Sequence, residues 1–566
     1  MMTNKEVARI LKDTSALIDL TGGNAFRARA MSNAARTIER LDESVSTLAA
    51  DGSLQELRGI GGGLAAQIQG ILEQGTFDVY EDLLGAIPPG LTEILRVKGL
   101  GAKKVRKIWQ TLGITTLEEL EEAATIGQLA DLDGFGKKTQ ENVLKHIHLL
   151  KQYGERRRYD QASMEAARML EKILAVDSID RAELAGALRR NLEVVDAVVI
   201  VAAASVINAA CNELIDFWET SEERSDGCRT LGGKLPDGMP LEIHVVLPGR
   251  FGMELWRQTG SAAHVAAMEA DFELPSTADV EAEIYETAGL PYIEAELREM
   301  NGEIDAAAGN RLPRLLALED LHGSLHNHST YSDGAHSLRQ MTEAARGMGF
   351  SYYGACDHSR SLSVAGGLSI ERVREQQEEI RRLNAEFGTD LHVFSGTESD
   401  ILGDGSLDYP DEVLASFDLV VASIHTRFSM SVEEATTRLI RAVENPFTTI
   451  LGHPTGRLLL RREGYPVDHE KVIDACAANG VAIEVNANPR RLDIDWRWIR
   501  HATARGVLVA INPDAHSVDE LYYMRWGVAA ARKGWLTPGQ CLNAMPLEAF
   551  AAWLDAKHSQ QGITQV

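Results

Sequence analysis

The stretch Leu321-His322-Gly323-Ser324-Leu325-His326-Asn327-His328-Ser329-Thr330-Tyr331-Ser332-Asp333-Gly334 decides how this chain is read. His326 and His328 are two residues apart, so on a strand both side chains leave the same face. Two imidazoles at that spacing can reach one metal ion, and Asp333 follows after a Ser/Gly turn. On its own a His-x-His pair is also what two solvated or hydrogen-bonded histidines give. Its meaning rests on what the rest of the chain brings to it.

From Leu321 onward short apolar stretches alternate with helical ones, the sequence form of an α/β barrel. Each candidate strand runs into a histidine or an acid. Leu321 to Leu325 leads to His326 and His328, and Tyr352 to Asp357 leads to His358. Leu391 to Thr397 leads to Glu398, Leu419 to Ile424 to His425, and Thr449 to Gly452 to His453. Val481 to Ile483 leads to Glu484 and Asn486, and Val507 to Pro513 to Asp514 and His516. In a parallel barrel all the C-terminal strand ends meet on one face, where catalytic groups gather. Any one of these histidines reads equally well as a capping or core residue. Six of the 16 at strand ends, with Asp333, Glu398 and Asp514 among them, point to one metal centre.

At 566 residues the chain exceeds a single core, so several domains are expected. Acids outnumber bases, 83 to 57, for a formal net charge of −26. That balance argues against tight non-specific DNA binding, whose affinity comes largely from neutralised phosphates. It leaves room for local binding through backbone amides and a few lysines, and bound divalent ions would add positive charge where carboxylates cluster. No run of eighteen apolar residues is present, so no transmembrane helix or membrane partner is expected. The polar start, Met1 to Glu6, lacks a secretory core, and Cys211, Cys228, Cys356, Cys476 and Cys541 form no CxxC pair. Both features suggest a cytoplasmic protein.

The first third reads as amphipathic helices carrying one motif three times. The copies are Leu57-Arg58-Gly59-Ile60-Gly61-Gly62-Gly63, Val97-Lys98-Gly99-Leu100-Gly101-Ala102-Lys103-Lys104 and Leu132-Asp133-Gly134-Phe135-Gly136-Lys137-Lys138. Gly59, Gly61, Gly99, Gly101, Gly134 and Gly136 permit a tight turn, and the helix that follows offers free N–H groups to a phosphate. Lys103, Lys104, Lys137 and Lys138 can add charge to that contact. A Gly-x-Gly can also simply turn one helix into the next. Three copies, two with paired lysines, favour DNA-backbone binding, with a weaker contact in the first, where glycines replace the lysines.

These copies resemble helix-hairpin-helix motifs, and their order resembles the amino-terminal and fingers regions of bacterial family X DNA polymerases. That resemblance implies binding to nicked or gapped DNA through phosphates. Residues from about 155 to 310 look like the family X palm, with Leu184 to Arg190 as its turn and strands at Val194 to Val201 and Leu241 to Val246. There a Gly-Ser-x-Arg-Arg turn leads to a strand carrying Asp-x-Asp, and a later strand supplies a third Asp. Asp196 matches the first position, Val198 occupies the second and Glu242 the third, while Ala187 replaces the serine. Valine cannot bind Mg²⁺, so a degenerate palm kept as scaffold is expected.

The residues after 320 match the PHP (polymerase and histidinol phosphatase) family, a distorted seven-stranded barrel with up to three clustered metals. Ser324 departs from the Asp that often opens the first motif. By resemblance one metal takes His326, His328, Glu398 and Asp514; a second shares Glu398 and takes His425 and His453; a third takes Asp333, His358 and His516. The mixed donors suit Mn²⁺, Zn²⁺ or Fe²⁺ better than Mg²⁺. The implied chemistry is in-line attack on phosphorus by a metal-activated water. Arg457, Asn488, Arg490 and Arg491 are candidates for substrate phosphate, or for salt bridges at the barrel rim.

The expected organisation is a multidomain chain: an N-terminal helical domain (1–85), a fingers-like region with two hairpins (86–153), a degenerate α+β palm (154–315) and a PHP barrel (320–566). The expected function is DNA repair by a monomeric metal-dependent phosphoesterase, as 3′-5′ exonuclease, 3′-phosphatase or AP endonuclease. Three alternatives stand: a bifunctional polymerase/exonuclease, a histidinol-phosphatase-like enzyme, and a non-catalytic DNA-end scaffold.

Overall fold

The computed structural model describes residues 2, 4–39, 41, 44–154, 156–224, 226–235 and 238–560. Met1 and Thr3 of the polar start, and the last six residues assigned to the barrel, lie outside the described residues. The chain divides into two compact units, Met1–Gly154 and Glu155–Val566.

The first unit is helical. Helices α1 (Asn4–Thr21) and α2 (Ala25–Glu39) bury Val7, Leu11, Met31 and Ile38 in a shared core. The three Gly-hydrophobic-Gly segments form the same turn: Ile60 N donates to Leu57 O at 3.0 Å, Leu100 N to Val97 O at 3.1 Å and Phe135 N to Leu132 O at 2.9 Å. Gly59, Gly99 and Gly134 sit at φ +87°, +93° and +85°, a region costly for other residues. The apolar residue between the glycines plugs into the core. The second glycine begins α3 (Gly62–Gln74), α4 (Ala102–Leu112) and α5 (Lys137–Tyr153) with no side-chain cap. By contrast, Thr116 closes a capping box on the helix Leu117–Thr125. The hairpin helices thus keep their first-turn N–H groups free of side-chain caps. Lys103, Lys137 and Lys138 are exposed. Lys104 differs from expectation: its Nζ donates to Gly99 O at 3.3 Å and lies over the Phe135 ring, bracing one turn against the next.

The second unit carries two large sheets. The smaller comprises β1 (Arg181–Leu184), β2 (Val198–Ala203), β3 (Thr220–Glu223), β4 (Arg229–Lys234) and β5 (Pro240–Val246), in the order β1-β2-β5-β4-β3. Only β2 and β5 run parallel. Helix α6 (Tyr159–Leu174) packs on one face and α7 (Phe251–Thr259) on the other.

The palm reading needs a correction here. The strand expected at Val194 to Val201 is broken: Val194–Val195 pairs with Arg157–Arg158, and β2 begins at Val198. Register pairs Val198 with Leu241 and Val199 with Glu242. Val198 and Leu241 are buried in the core beneath α6. Because paired residues share a face, the residue beside Glu242 is Val199. Asp196 lies exposed in the bend before the strand. The apolar residue beside Glu242 is therefore Val199, one position later than the Val198 that the sequence suggested, and Asp196 lies outside the strand that pairs with Glu242.

The larger sheet is the expected seven-stranded barrel: β6 (Gly323–Asn327), β7 (Tyr352–Ala355), β8 (His392–Asp400), β9 (Leu419–Ser423), β10 (Ile450–Leu451), β11 (Ala482–Asn486) and β12 (Val509–Asn512). All neighbours are parallel. The last strand returns to the first through His328 N donating to Ala515 O at 2.8 Å. Apart from a register shift in β6 between Ser324 and Asn327, and at His453 beyond β10, the two-residue period of each strand organises the site. Its outward residues, such as Val420 and Ala422, pack under the helices; its inward ones begin apolar and end polar. Phe394, Gly396, Glu398 and Asp400 form one inward file, and Leu419, Val421, Ser423 and His425 another. Phe550, stacked on Tyr352 at 4.9 Å, joins the apolar end.

Candidate metal centre

Glu398 is the hub. Its Oε1 lies 2.9 Å from His453 Nε2 and 3.1 Å from His425 Nε2. Its Oε2 lies 2.9 Å from His358 Nδ1, 3.4 Å from His326 Nε2 and 3.5 Å from His328 Nε2. Asp514 closes the inner side, its Oδ1 3.1 Å from His328 Nε2 and 3.7 Å from His326 Nε2. Asp333 closes the outer side, its Oδ1 3.5 Å from His358 Nε2 and 3.4 Å from His516 Nε2. All nine residues singled out in the sequence meet at the C-terminal end of the barrel. The inner ones are buried, whereas Asp333 and His516 are about one-third exposed, at 37% and 32% of their side chains.

The donors fall into three overlapping groups with metal-ligand spacing. His326, His328, Glu398 and Asp514 form one, as the resemblance implied. Asp333, His358 and His516 form another, joined by His328. Glu398 and His425 form the third with His358, while His453 approaches the same Oε1 of Glu398 as His425 does.

The donor set fits divalent cations. Nε2 of His326, Nδ1 of His358 and Oε2 of Glu398 are buried with no hydrogen-bond partner, though they approach one another closely. Leaving such groups unpaired is costly, and a shared cation would satisfy all three. The electrostatics agree. Burial opposes charge on Glu398 and Asp514, yet the surrounding imidazoles hold both carboxyls well below the ordinary range. Burial also opposes charge on His425, but Glu398 and Asp400 raise it to about 10. His328 goes the other way, pushed down to about 3 by burial and by the rings of His516, stacked at 4.2 Å, and His358, tilted at 4.4 Å.

Three carboxylates that the ligand reading left out hold the donors in place. Glu484 is buried; its Oε1 lies 2.7 Å from His326 Nδ1, and its Oε2 accepts from His453 N at 2.8 Å. Asp400 Oδ1 lies 2.7 Å from His425 Nδ1. An ionised carboxylate only accepts, so each imidazole donates through Nδ1 and turns Nε2 toward the cluster. Asp357 accepts from Ser329 N and Oγ, Ser332 N and Oγ, and Gln376 Nε2, fixing the loop that presents Asp333. A signal for Asp400 was present in Glu398-Ser399-Asp400, whose i, i+2 spacing puts both acids on one strand face.

His453 breaks the alternation. Leu451 faces outward, so two residues on His453 would too; instead φ +22° and the bond from its amide to Glu484 turn it inward. Asp514 likewise sits at φ +53°. Such conformations are held only where the surroundings fix them.

The expected phosphate contacts separate. Arg491 faces the cluster, its Nε 3.6 Å from Asp514 Oδ2. Arg490 is exposed nearby, and Asn488 shapes the turn by accepting from Arg490 N at 3.1 Å. Arg457 is corrected to the rim salt bridge: Nε donates to Arg491 O at 2.9 Å, Nη1 to Asp495 at 2.6 Å and Nη2 to Leu492 O. All three of its guanidinium nitrogens are engaged away from the cluster.

Comparison with known proteins follows the same division. Residues 2–77 match the model of a helix-hairpin-helix domain, and residues 91–148 that of a SAM-like helix-hairpin-helix tandem. A probable phosphatase of Caldanaerobacter subterraneus is 34% identical over 136 residues, 22% of this chain and 51% of that protein. One from Thermoanaerobacter sp. is 32% identical over 136 residues, 22% of this chain and 53% of that protein. The DNA polymerase/3′-5′ exonuclease PolX of Bacillus subtilis is 34% identical over 572 aligned positions, spanning 98% of this chain and 99% of that protein. With both units and both large sheets inside that alignment, the chain belongs to the PolX family.

Proposed function

We propose that this chain is a metal-dependent phosphoesterase of DNA repair, working at the 3′ ends or abasic sites of gapped or nicked DNA as a monomer. The observation that carries this reading is the convergence of nine histidine and carboxylate donors around Glu398, with unpartnered buried donor atoms among them. His326, His328, Glu398 and Asp514 would hold one divalent ion; Glu398, His425 and His453 a second; Asp333, His358 and His516 a third. Mixed nitrogen and oxygen donors favour Mn²⁺, Zn²⁺ or Fe²⁺. Ions held there supply Lewis-acid chemistry, acidifying water and neutralising charge on the phosphate.

The chain's own residues do the rest. Glu484 and Asp400 hold His326 and His425 in the orientation that aims Nε2 inward. Asp357 holds the Ser329–Asp333 loop over the outer side of the site. Arg491, with Arg490 and Asn488 beside it, is placed to orient a phosphate at the edge of the cluster. The hairpin helices, with uncapped N-termini and exposed Lys103, Lys137 and Lys138, bind the DNA backbone. Gly59, Gly61, Gly99, Gly101, Gly134 and Gly136 let that backbone come close.

The palm serves as scaffold rather than polymerase, because Val199, and not a carboxylate, stands beside Glu242. The bifunctional reading is favoured only by the Bacillus relative, a DNA polymerase/3′-5′ exonuclease. Incubating the purified protein with Mn²⁺ and 3′-labelled gapped DNA, and in parallel with histidinol phosphate, tests the whole reading. Release of the label is expected; turnover of histidinol phosphate alone would overturn it. His358→Ala should abolish cleavage with DNA binding intact. Robust nucleotide incorporation in a gap-filling assay would refute the scaffold role.

A further inference from the structure

The palm gathers metal-binding side chains of its own, away from the barrel. Cys228 stands in the turn into β4, His244 on β5 and Glu254 on α7. Register sets Thr230 opposite His244, and Thr230 Oγ1 lies 3.2 Å from His244 Nδ1. Cys228 packs with Val201, Val246 and Leu255 between the sheet and α7, the helix from which Glu254 reaches in. One donor atom from each of Cys228, His244 and Glu254 lies within 4.8 Å of the other two. All three residues are buried, at 2%, 5% and 3% exposure.

Their polar groups are incompletely paired. His244 Nδ1 lies 3.4 Å from Glu254 Oε1, within the roughly 3.3–3.8 Å that separates donors around a tetrahedral Zn²⁺ ion. His244 Nε2 is buried without a hydrogen-bond partner, with Glu242 Oε2 3.6 Å away. Such an orphaned ring nitrogen is costly. A cation on Nδ1 keeps the ring proton on Nε2, turned toward Glu242. That is the order of carboxylate, imidazole and metal that Glu484 and Asp400 give the barrel, with the ring nitrogens exchanged. Glu254 is steadied from outside, where Arg224 Nη1 donates to its Oε1 at 2.7 Å and Gln258 Nε2 at 2.8 Å. Arg224 also pairs with Asp226, whose Oδ1 accepts from Cys228 N at 3.2 Å. Burial, then the charge of Glu254, push the Cys228 thiol up to about 12, so the sulfur becomes a thiolate only beside a cation.

We propose that Cys228, His244 and Glu254 bind a structural divalent cation, separate from those of the barrel, which ties β4 and β5 to α7. One sulfur, one nitrogen and one oxygen donor select Zn²⁺, with water in the fourth position. The site gives Glu242 a use in a palm without its catalytic carboxylates, as the outer partner of His244. It stands whether or not the barrel cleaves DNA.

The full chain is stripped with a chelator and loaded with Co²⁺, a spectroscopic stand-in for Zn²⁺. Thiolate bound to Co²⁺ absorbs in the near ultraviolet by sulfur-to-metal charge transfer, and the nine barrel donors are nitrogen and oxygen only. The band should appear in wild type and in Cys356→Ser, which changes the cysteine beside Glu398, and vanish from Cys228→Ser. Competition between the protein and a chromogenic chelator for Zn²⁺ should show one site weakened at least ~100-fold in Cys228→Ser. Glu242 is half-exposed, so Glu242→Gln spares the core; it should keep the band and weaken the same site ~10-fold. Absence of the band from wild type, its survival in Cys228→Ser, or unchanged Zn²⁺ affinity in Glu242→Gln would overturn the site.

Discussion

The barrel and the palm solve the same problem with opposite outcomes. Each lines up strands so that side chains from several of them meet at one place, and each retains the apolar side of that arrangement. In the barrel every inward file ends in donors, and five histidines lie within 3.5 Å of the two oxygens of Glu398. In the palm the register sets an apolar side chain, Val199, beside Glu242. The arginine turn of the palm is held by carboxylates: Arg189 reaches Glu281 at 2.7 Å, and Arg190 reaches Glu299 at 2.7 Å. A fold is held by its buried face and its turns, so catalytic carboxylates can go while strand order stays.

The comparison breaks most decisively at Glu398. Glu398→Ala removes the carboxylate on which the barrel donors converge, and Mn²⁺-dependent phosphoesterase activity should fall at least ~10³-fold, a small part of what phosphoester enzymes supply. Metal content after dialysis should fall with it, and the circular dichroism of the chain should stay the same. Retained activity would mean that the phosphoesterase chemistry does not depend on the barrel's carboxylate hub.

The register supplies the next test. Val198→Asp places a carboxylate in the core beneath α6 and should cost ~3 kcal/mol or more, lowering the midpoint of chemical unfolding. Val199→Asp, on the half-buried face of Glu242, should cost about 1 kcal/mol. That variant gives the face a second carboxylate beside Glu242, and calorimetry should record tighter Mn²⁺ binding there. The reverse ranking of the two single variants would restore the original reading of Val198.

Asp400→Asn sharpens the barrel side. It loses the carboxylate that orients His425 through Nδ1 while keeping its shape, so Mn²⁺ affinity should weaken 10–100-fold. Asp400→Glu should recover part of it. A purely structural role would instead lower thermal stability in the metal-free protein and leave affinity alone.

How far these features can be read from sequence follows from what sets each one. The seven strands and their ligands were legible because an inward period of two ends each strand in a polar residue, as in Leu419, Val421, Ser423 and His425. The hairpins were legible because a positive φ at Gly59, Gly99 and Gly134 demands glycine. His453 was found by position, but its inward turn depends on Glu484, a long-range contact no local pattern reports. The palm was misread by one residue because β2 starts after a break at Asp196 and Ala197; only pairing with β5 fixes which valine faces Glu242. Arg457 was ambiguous for the same reason: its partners at 491 to 495 come from another strand's loop.

The smallest effect belongs to the joint between the two sheets. Glu193, just past the palm's arginine turn, accepts from Trp496 Nε1 at 2.9 Å and pairs with Arg497 at 2.9 Å at the start of the barrel helix Trp496–Ala504. That helix follows the loop carrying Asn488, Arg490 and Arg491. Arg497 is half-exposed, so its ion pair is worth ~1 kcal/mol or less. Glu193→Gln keeps an acceptor for Trp496 and should leave stability nearly unchanged. Glu193→Ala leaves the indole N–H unpaired and should cost about 1 kcal/mol, read as faster amide hydrogen exchange through residues 488–497. Exchange at Glu484 and Asn486, deeper in the strand, should not change. If the alanine variant alters neither stability nor exchange, the palm does not brace this loop, and its retention needs another explanation than support for the barrel.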